Sequence, residues 1–319
     1  MIREPWFWRS QSATARAIQT ALSPLSAVYD LGQRARAAMT TPKRAPVPVI
    51  CVGNATLGGV GKTPFAIALA ILLKERSVKA HFLTRGYGGR LKGPIKVNPA
   101  THNFEDVGDE ALLLARTAPT WVSANRPAGA ELAAKDADMI IMDDGFQNPT
   151  IHKDCSILLM SKTAIGNKKI FPAGPMREPM SRAVARSTLR VIIANNDDET
   201  AASGDVHTAI TRPVNAPTPQ SVIAFCGIGA PEKFFRTLRG QSFEVAQTAA
   251  FADHHPYTSA DITALRKLAQ KNKAALITTE KDAVRLPPEF RDDILVLPIT
   301  MEIKEPDRLA DEVLKAISR

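Results

Sequence analysis

The chain has 319 residues, 45% of them hydrophobic and 23% charged, which excludes wholesale disorder and suits one large or two modest domains. It has no run of about 18 apolar residues to cross a membrane as a helix, and Cys51, Cys155 and Cys226 lie too far apart for a disulfide framework or a cysteine zinc site. A formal charge of +9 draws it to something anionic: nucleic acid, a phosphorylated metabolite or an acidic lipid surface.

Residues 1–39 open with Trp6, Phe7 and Trp8, an apolar run that stops at Arg9 and is too short for a secretory signal. Ala17, Ile18, Ala21, Leu22, Leu25, Val28 and Tyr29 recur at three- and four-residue spacings, which places them on one side of a helix. Pro24 is expected to kink or break it. Arg3, Arg9, Arg16, Arg34 and Arg36 outnumber Glu4 and Asp30. Two readings stand. The helix lies in a membrane interface with arginines facing anionic lipid, or it packs on the body of the protein.

Pro42, Pro46 and Pro48 mark a linker. Residues 47–52 read as a buried strand entering a Gly-rich turn, and residues 65–76 as a mostly buried helix. Residues 80–84 predict a second strand, ending in the loop Arg85-Gly86-Tyr87-Gly88-Gly89. Residues 110–116 predict a helix, and 139–142, 156–160 and 189–194 predict further strands. This alternation predicts a parallel sheet with helices on both faces. The polar stretch 195–218 predicts a domain junction. Beyond it, residues 222–226, a helix through Phe234-Phe235, and residues 274–278 and 294–297 predict a second, smaller α/β domain.

The strongest signal is Gly53-Asn54-Ala55-Thr56-Leu57-Gly58-Gly59-Val60-Gly61-Lys62-Thr63-Pro64, between a strand and a helix. Glycines let backbone N–H groups turn around phosphate oxygens, and the helix N-terminus adds partial positive charge. Residues Thr56 to Thr63 are thus the expected nucleotide cradle. Lys62 reaches toward the β- and γ-phosphates, and the Thr63 hydroxyl suits Mg²⁺. Thr56 stands where the strict pattern has its first Gly; the pair Gly58-Gly59 is a variant that still builds the cradle. The fold class is therefore α/β: a P-loop α/β/α sandwich with a smaller second α/β domain and an N-terminal amphipathic helix. The expected division is residues 1–39, 40–205 and 206–319.

Asp143 and Asp144 end an apolar strand downstream of the phosphate loop, the arrangement in which a carboxylate holds Mg²⁺. Asp109 opens a helix and suits either an N-cap or a base. Asp253-His254-His255-Pro256-Tyr257 suits either a solvent-facing loop or a histidine that orients a carboxylate. The stiff loop 171–179 presents Arg177, suited to phosphate, and Glu178, suited to Mg²⁺. Residues 278–285 read as a capped helix start after a strand.

Together, GNATLGGVGKTP, TRGYGG, GDEALLLA, DDGFQ, FPAGPMREP, GIGAPEKFF, FADHHPY and TTEKDAVRL resemble, in order, the segments of the tetraacyldisaccharide 4'-kinase (lipid A 4'-kinase) family, over about residues 47–290. The resemblance implies ATP-dependent phosphorylation of the 4'-hydroxyl of tetraacyldisaccharide 1-phosphate, the lipid A disaccharide precursor, to give lipid IV-A. It implies Mg²⁺, two α/β/α domains with the active site at their cleft, and an N-terminal helix docked on the anionic cytoplasmic face of the inner membrane. Carried over by residue, Lys62 and Thr63 would serve nucleotide and Mg²⁺, with Asp109 the base and His254 its partner across the cleft. Asp143, Asp144, Gln147 and Glu178 would be the polar groups of the metal site. Arg85, Tyr87 and Arg177 would contact substrate. Ala111 and Val60 depart from the family pattern, where Pro and a hydroxyl residue are commoner. The rival reading is a membrane-associated P-loop ATPase switch without sugar-kinase activity. Dispersed basic residues without an aromatic-basic stacking motif disfavour nucleic acid, and no obligate protein partner is expected.

Overall fold

Strands buried on both faces read as near-continuous apolar runs, because helices cover a parallel sheet from both sides. The computed structural model describes residues 4–194 and 205–318. Arg3 and residues 195–204 of the expected junction lie outside the described residues. In chain order the first strands are β1 (Val49–Asn54), β2 (Ala80–Thr84), β3 (Ile95–Lys96), β4 (Thr120–Val122), β5 (Met139–Asp143), β6 (Cys155–Met160), β7 (Leu189–Ala194) and β8 (His207–Pro213). A second sheet follows, from β9 (Ser221–Cys226), β10 (Glu244–Ala250), β11 (Ala275–Thr279) and β12 (Leu295–Leu297). The chain then returns to the first sheet as β13 (Ile299–Ile303).

The first sheet has the order β13-β8-β7-β6-β1-β5-β2-β4-β3 and the second β10-β9-β11-β12. All neighbours run parallel except the two outer pairs of the first sheet, β13·β8 and β3·β4. Side chains alternate across β1. Ile50 and Val52 therefore join one core layer with Phe65, Leu69 and Ile157. Val49 and Cys51 join the other with Met142, Phe146 and Leu158. Each of these fully buried large side chains contributes about 1.5–3 kcal/mol relative to exposure.

The helices are α1 (Ala13–Ala38), α2 (Lys62–Glu75), α3 (Phe104–Val107), α4 (Asp109–Ala115), α5 (Arg126–Ala133), α6 (Met180–Ala185), α7 (Pro231–Gly240), α8 (Ser259–Asn272), α9 (Glu280–Ala283) and α10 (Pro306–Ile317). Sheet membership does not follow a division at residue 205/206. β8, β13 and α10 all belong to the first layer structure. The reason is packing: Leu309, Ala310 and Val313 of α10 complete the core over α2. Arg76 at the end of α2 pins α10 through Asp307 (2.6 Å) and Asp311 (2.7 Å).

α1 also departs from expectation, running unbroken through Pro24. Pro24 and Thr20, whose carbonyl loses its helical partner, are both exposed, so that carbonyl lies on the solvent-facing side of the helix. The side that packs is small and polar. Ala15, Gln19 and Ser26 are buried, Ser26 Oγ donates to Ile170 O at 2.8 Å, and Asp30 pairs with Arg182 at 2.6 Å. The apolar residues Leu25, Val28 and Leu31 instead point outward, 56%, 68% and 63% exposed.

Candidate active site

The carboxyl end of β1 runs into the phosphate loop, where Gly58 (φ +100°) and Gly61 (φ +94°) take left-handed conformations that side chains oppose. The loop is braced from outside. Leu57 N–H donates to Pro175 O and Arg177 N–H to Ala55 O, each at 2.7 Å, so the segment 171–179 lies along it. Asn54 Nδ2 donates to Thr56 Oγ1 at 3.0 Å. α2 begins at Lys62, aiming its N-terminus into the loop.

Thr63 Oγ1 donates to Asp143 Oδ2 at 2.8 Å. Asp143 Oδ1 is buried without a hydrogen-bond partner. Burial, then the negative charge of Glu110, pushes the Asp143 carboxyl up to about 7. Burial also acts to raise Asp144, but the charges of Lys62 and Arg177 outweigh it and hold Asp144 below the ordinary carboxylate value. Lys62 Nζ lies 3.7 Å from Asp144, and Arg177 Nη1 lies 3.1 Å from it.

Gln147 and Glu178 join the same network at one remove. Gln147 Nε2 donates to Asn54 O (2.8 Å) and Glu178 Oε1 (3.0 Å), while its Oε1 accepts from Arg177. Glu178 is buried and ion-paired with Arg186, so its carboxylate is already engaged on the protein side. Arg126 was not singled out in the sequence. It is buried at the start of α5 with its Nε unpartnered. Burial and the charge of Arg85 push it down to about 10, still cationic at neutral pH, within reach of the fields of Asp143 and Asp144. Its only local mark is its place as the first residue of a helix capped by Asn125, whose side chain accepts from Ala128 N–H.

On the same side as the phosphate loop, α4 packs near α2, and its N-cap is Gly108 (φ +86°, ψ 152°), which leaves Asp109 as the first helical residue. A Cβ at Gly108 would strike the carbonyl of Tyr87, so only glycine makes this corner. Asp109 is buried; its Oδ1 accepts from Glu110 N–H and its Oδ2 lies 2.8 Å from His254 Nδ1. Lys281 Nζ is 3.1 Å from His254 Nε2 and 3.1 Å from Glu110. An ammonium only donates, so Nε2 carries the lone pair and Nδ1–H donates to Asp109. His254 sits at φ +57°, its N–H donating to Gly227 O at 3.0 Å. His255 turns elsewhere, to Asp261 at 3.2 Å. Tyr87, half exposed, lies beside His254 with ring centroids 5.1 Å apart. Arg85 is exposed at the same strand end.

Burial acts to raise Asp109, but the His254 hydrogen bond and the charge of Lys281 outweigh it and hold the carboxyl below its ordinary value. Asp109, Glu110 and His254 bring ligand-type atoms within 4.8 Å of one another. Lys281 and Arg285 already fill that cluster with positive charge, which opposes a metal ion there. The two halves of the site meet: a Cβ on Gly229, in the loop after β9, would lie 3.3 Å from Gly59 N.

A glycine cradle opening onto Lys and Thr suits nucleotide phosphates, and an ionised carboxylate paired with an imidazole is chemically able to accept a proton. That chemistry defines a P-loop phosphotransferase. The model of the tetraacyldisaccharide-1-P 4'-kinase family matches residues 18–318, and the chain belongs to this family. It is 48% identical over 297 residues to the tetraacyldisaccharide 4'-kinase of Parvibaculum lavamentivorans, covering 89% of this chain and 87% of that one. It is 46% identical over 319 residues to that of Methylobacterium nodulans, covering 96% and 93%. The crystal structure of an "apo" form of LpxK from Aquifex aeolicus in complex with ATP is similar with a TM-score of 0.76 at 26% identity, covering 94% of this chain and 99% of that chain.

Proposed function

We propose that this chain transfers the γ-phosphoryl group of ATP to the 4'-hydroxyl of tetraacyldisaccharide 1-phosphate in lipid A biosynthesis, docked peripherally on the cytoplasmic face of the inner membrane. The observation that carries the chemistry is the Asp109–His254 bond, made between a residue packed on the first sheet and one from the loop after β10 of the second. Asp109 takes the hydroxyl proton as the sugar oxygen bonds to phosphorus. The bond to the leaving oxygen breaks, and its electron pair stays on ADP. His254 keeps the carboxylate oriented and ionised. Lys62 and the N–H groups of residues 56–63 stabilise charge on the phosphates, with Arg126 and Arg177 as the nearby cations. Tyr87, exposed beside His254, and Arg85, exposed at the end of β2, would contact the disaccharide.

Thr63 and Asp143 would hold Mg²⁺. The unpartnered buried Oδ1 and the adjacent hydroxyl form the hard-oxygen set that this ion takes. Bound there, Mg²⁺ would offset negative charge on the transferring group. The test is a transfer assay with labelled ATP and the lipid acceptor in detergent micelles. The kinase reading expects label in the lipid, dependent on Mg²⁺, with little hydrolysis when lipid is left out. Hydrolysis without label in the lipid would establish the ATPase switch instead.

No helix of the described residues is long and apolar enough to cross a membrane. Peripheral docking rests on the outward stripe Leu25, Val28 and Leu31 of α1, with Trp6 57% exposed nearby. Changing all three stripe residues to Ser removes the apolar area that enters lipid. Partitioning onto anionic vesicles should fall about tenfold or more, while turnover in detergent micelles stays near that of the parent. Undiminished sedimentation with vesicles would rule this stripe out as the docking face.

A further inference from the structure

The segment 278–285 begins as a capped helix: Thr279 Oγ1 accepts from Asp282 N–H at 3.1 Å. It ends on Arg285, a guanidinium only 1% exposed. That burial is costly unless every donor is used, and the partners show what it secures. Nη2 donates to Gly227 O (2.9 Å) and Asp282 Oδ1 (2.6 Å), Nη1 to His255 O (3.1 Å), and Nε to Lys281 O (3.2 Å). Nε also lies 3.3 Å from Asp109 Oδ2. Gly227 O is the same carbonyl that accepts from His254 N–H. One side chain thus touches the carboxylate of the pair and braces the backbone on both sides of its histidine.

Arg285 is in turn fixed from behind. Asp282, fully buried, accepts from Tyr257 Oη (2.7 Å) and Gly227 N–H (2.7 Å) as well as from Arg285. Val284 packs with Val107, Ala111 and Leu112, which presses α9 onto α4. The titratable and charged groups around Asp109 are therefore His254, Lys281, Arg285 and Glu110, with Asp253 beyond His254 and Lys281. A network used only to stabilise the second sheet has no reason to reach Asp109 in the first.

We propose that Arg285, held by Asp282 and Tyr257, is a positioning residue that sets the Asp109–His254 pair across the cleft for proton transfer. The proposal rests on the reading of Asp109 as the base. The two are tested together by a double-mutant cycle on the full chain. Arg285→Lys keeps the charge, but an ammonium cannot span these acceptors at once. It should lower kcat about tenfold or more while the KM for ATP stays within about twofold. In an Asp109→Asn background the same change should cost almost nothing further, since there is no base left to place.

An equal loss in both backgrounds overturns the proposal, because that is what a purely structural arginine produces. So does an unchanged kcat in Arg285→Lys. If Arg285→Lys fails to fold, Tyr257→Phe removes a single hydrogen bond to Asp282. It should lower kcat about threefold in the parent and not in Asp109→Asn; equal effects there overturn the proposal too. Asp109→Asn retaining the parent kcat removes the base reading itself, and this proposal with it.

Discussion

Asp109→Asn should lower kcat by about three orders of magnitude, within the range of 10²–10⁴ that a positioned base supplies, with the KM for ATP almost unchanged. The amide oxygen still accepts from His254, so the corner at Gly108 and the packing of α4 are kept, but the amide cannot take the sugar proton. Asp109 makes no contact with the phosphate loop among its hydrogen bonds and ion pairs, so nucleotide binding is spared. Steady-state kinetics with ATP and the lipid acceptor varied separately read the two parameters. A kcat within threefold of the parent would remove Asp109 from the base role.

The pH dependence follows with a definite sign. Burial works to raise the Asp109 carboxyl, and the hydrogen bond from His254 is the largest opposing influence. With the net value below that of a free carboxyl, Asp109 stays ionised throughout the neutral range, and its protonation limits kcat only in strong acid. His254→Ala lets burial act with less opposition. The acid limb of kcat should then move to higher pH, beyond any loss at the plateau. The same depressed value means that Asp109 contributes stability above its unfolded pKa, lost as pH falls through its folded one. A limb that stays in place in His254→Ala would separate the histidine from the ionisation of the carboxylate.

The strands β2 and β7 coincide with the apolar runs at residues 80–84 and 189–194, because strands in a covered parallel sheet are mostly apolar, and His81, Thr84 and Arg190 are too few to break the runs. The phosphate loop was legible for a similar reason: its glycines answer to backbone geometry fixed within a dozen residues. What escaped the sequence depends on partners far along the chain. β10 (Glu244–Ala250) is an edge strand with mostly exposed side chains, so no apolar run announces it. β13 and α10 carry readable periodicity, yet nothing local says that they return to the first sheet. Nothing local marks Arg126 or Arg285 as buried, because buried guanidinium groups are rare, and only the fold brings up the acceptors that Arg285 uses. The neighbours His254 and His255 could not be told apart by composition. The left-handed backbone at His254 turns one to Asp109 and leaves the other on Asp261.

The second large effect is expected at Asp143, where activity and stability should move in opposite directions. Burial, then the charges of Glu110 and Asp144, push this carboxyl up to about 7 from 3.8 for a free group, and one of its oxygens has no protein partner. A folded value raised in this way contributes stability below the unfolded pKa and loses it as pH rises through about 7. Above that, the metal-free protein carries a charge that burial and its neighbours oppose. Asp143→Asn removes the charge and keeps an oxygen for the Thr63 hydroxyl. Measured in EDTA at alkaline pH, its Tm should exceed that of the parent by roughly 5 °C, and the gap should narrow below about 7 and close as pH falls toward 3.8. Saturating Mg²⁺ should raise the parent's Tm through binding to the folded state and leave the variant almost unmoved, narrowing or reversing the order. Transfer to lipid should fall by about two to three orders of magnitude, because the charge on the phosphates loses its principal counterweight. A variant less stable than the parent in EDTA would instead make Asp143 a structural partner of Thr63, and the cation would have to be held elsewhere. The buried Asp143 carboxyl, with one oxygen free of protein partners, is thus the group whose charge a bound Mg²⁺ would offset.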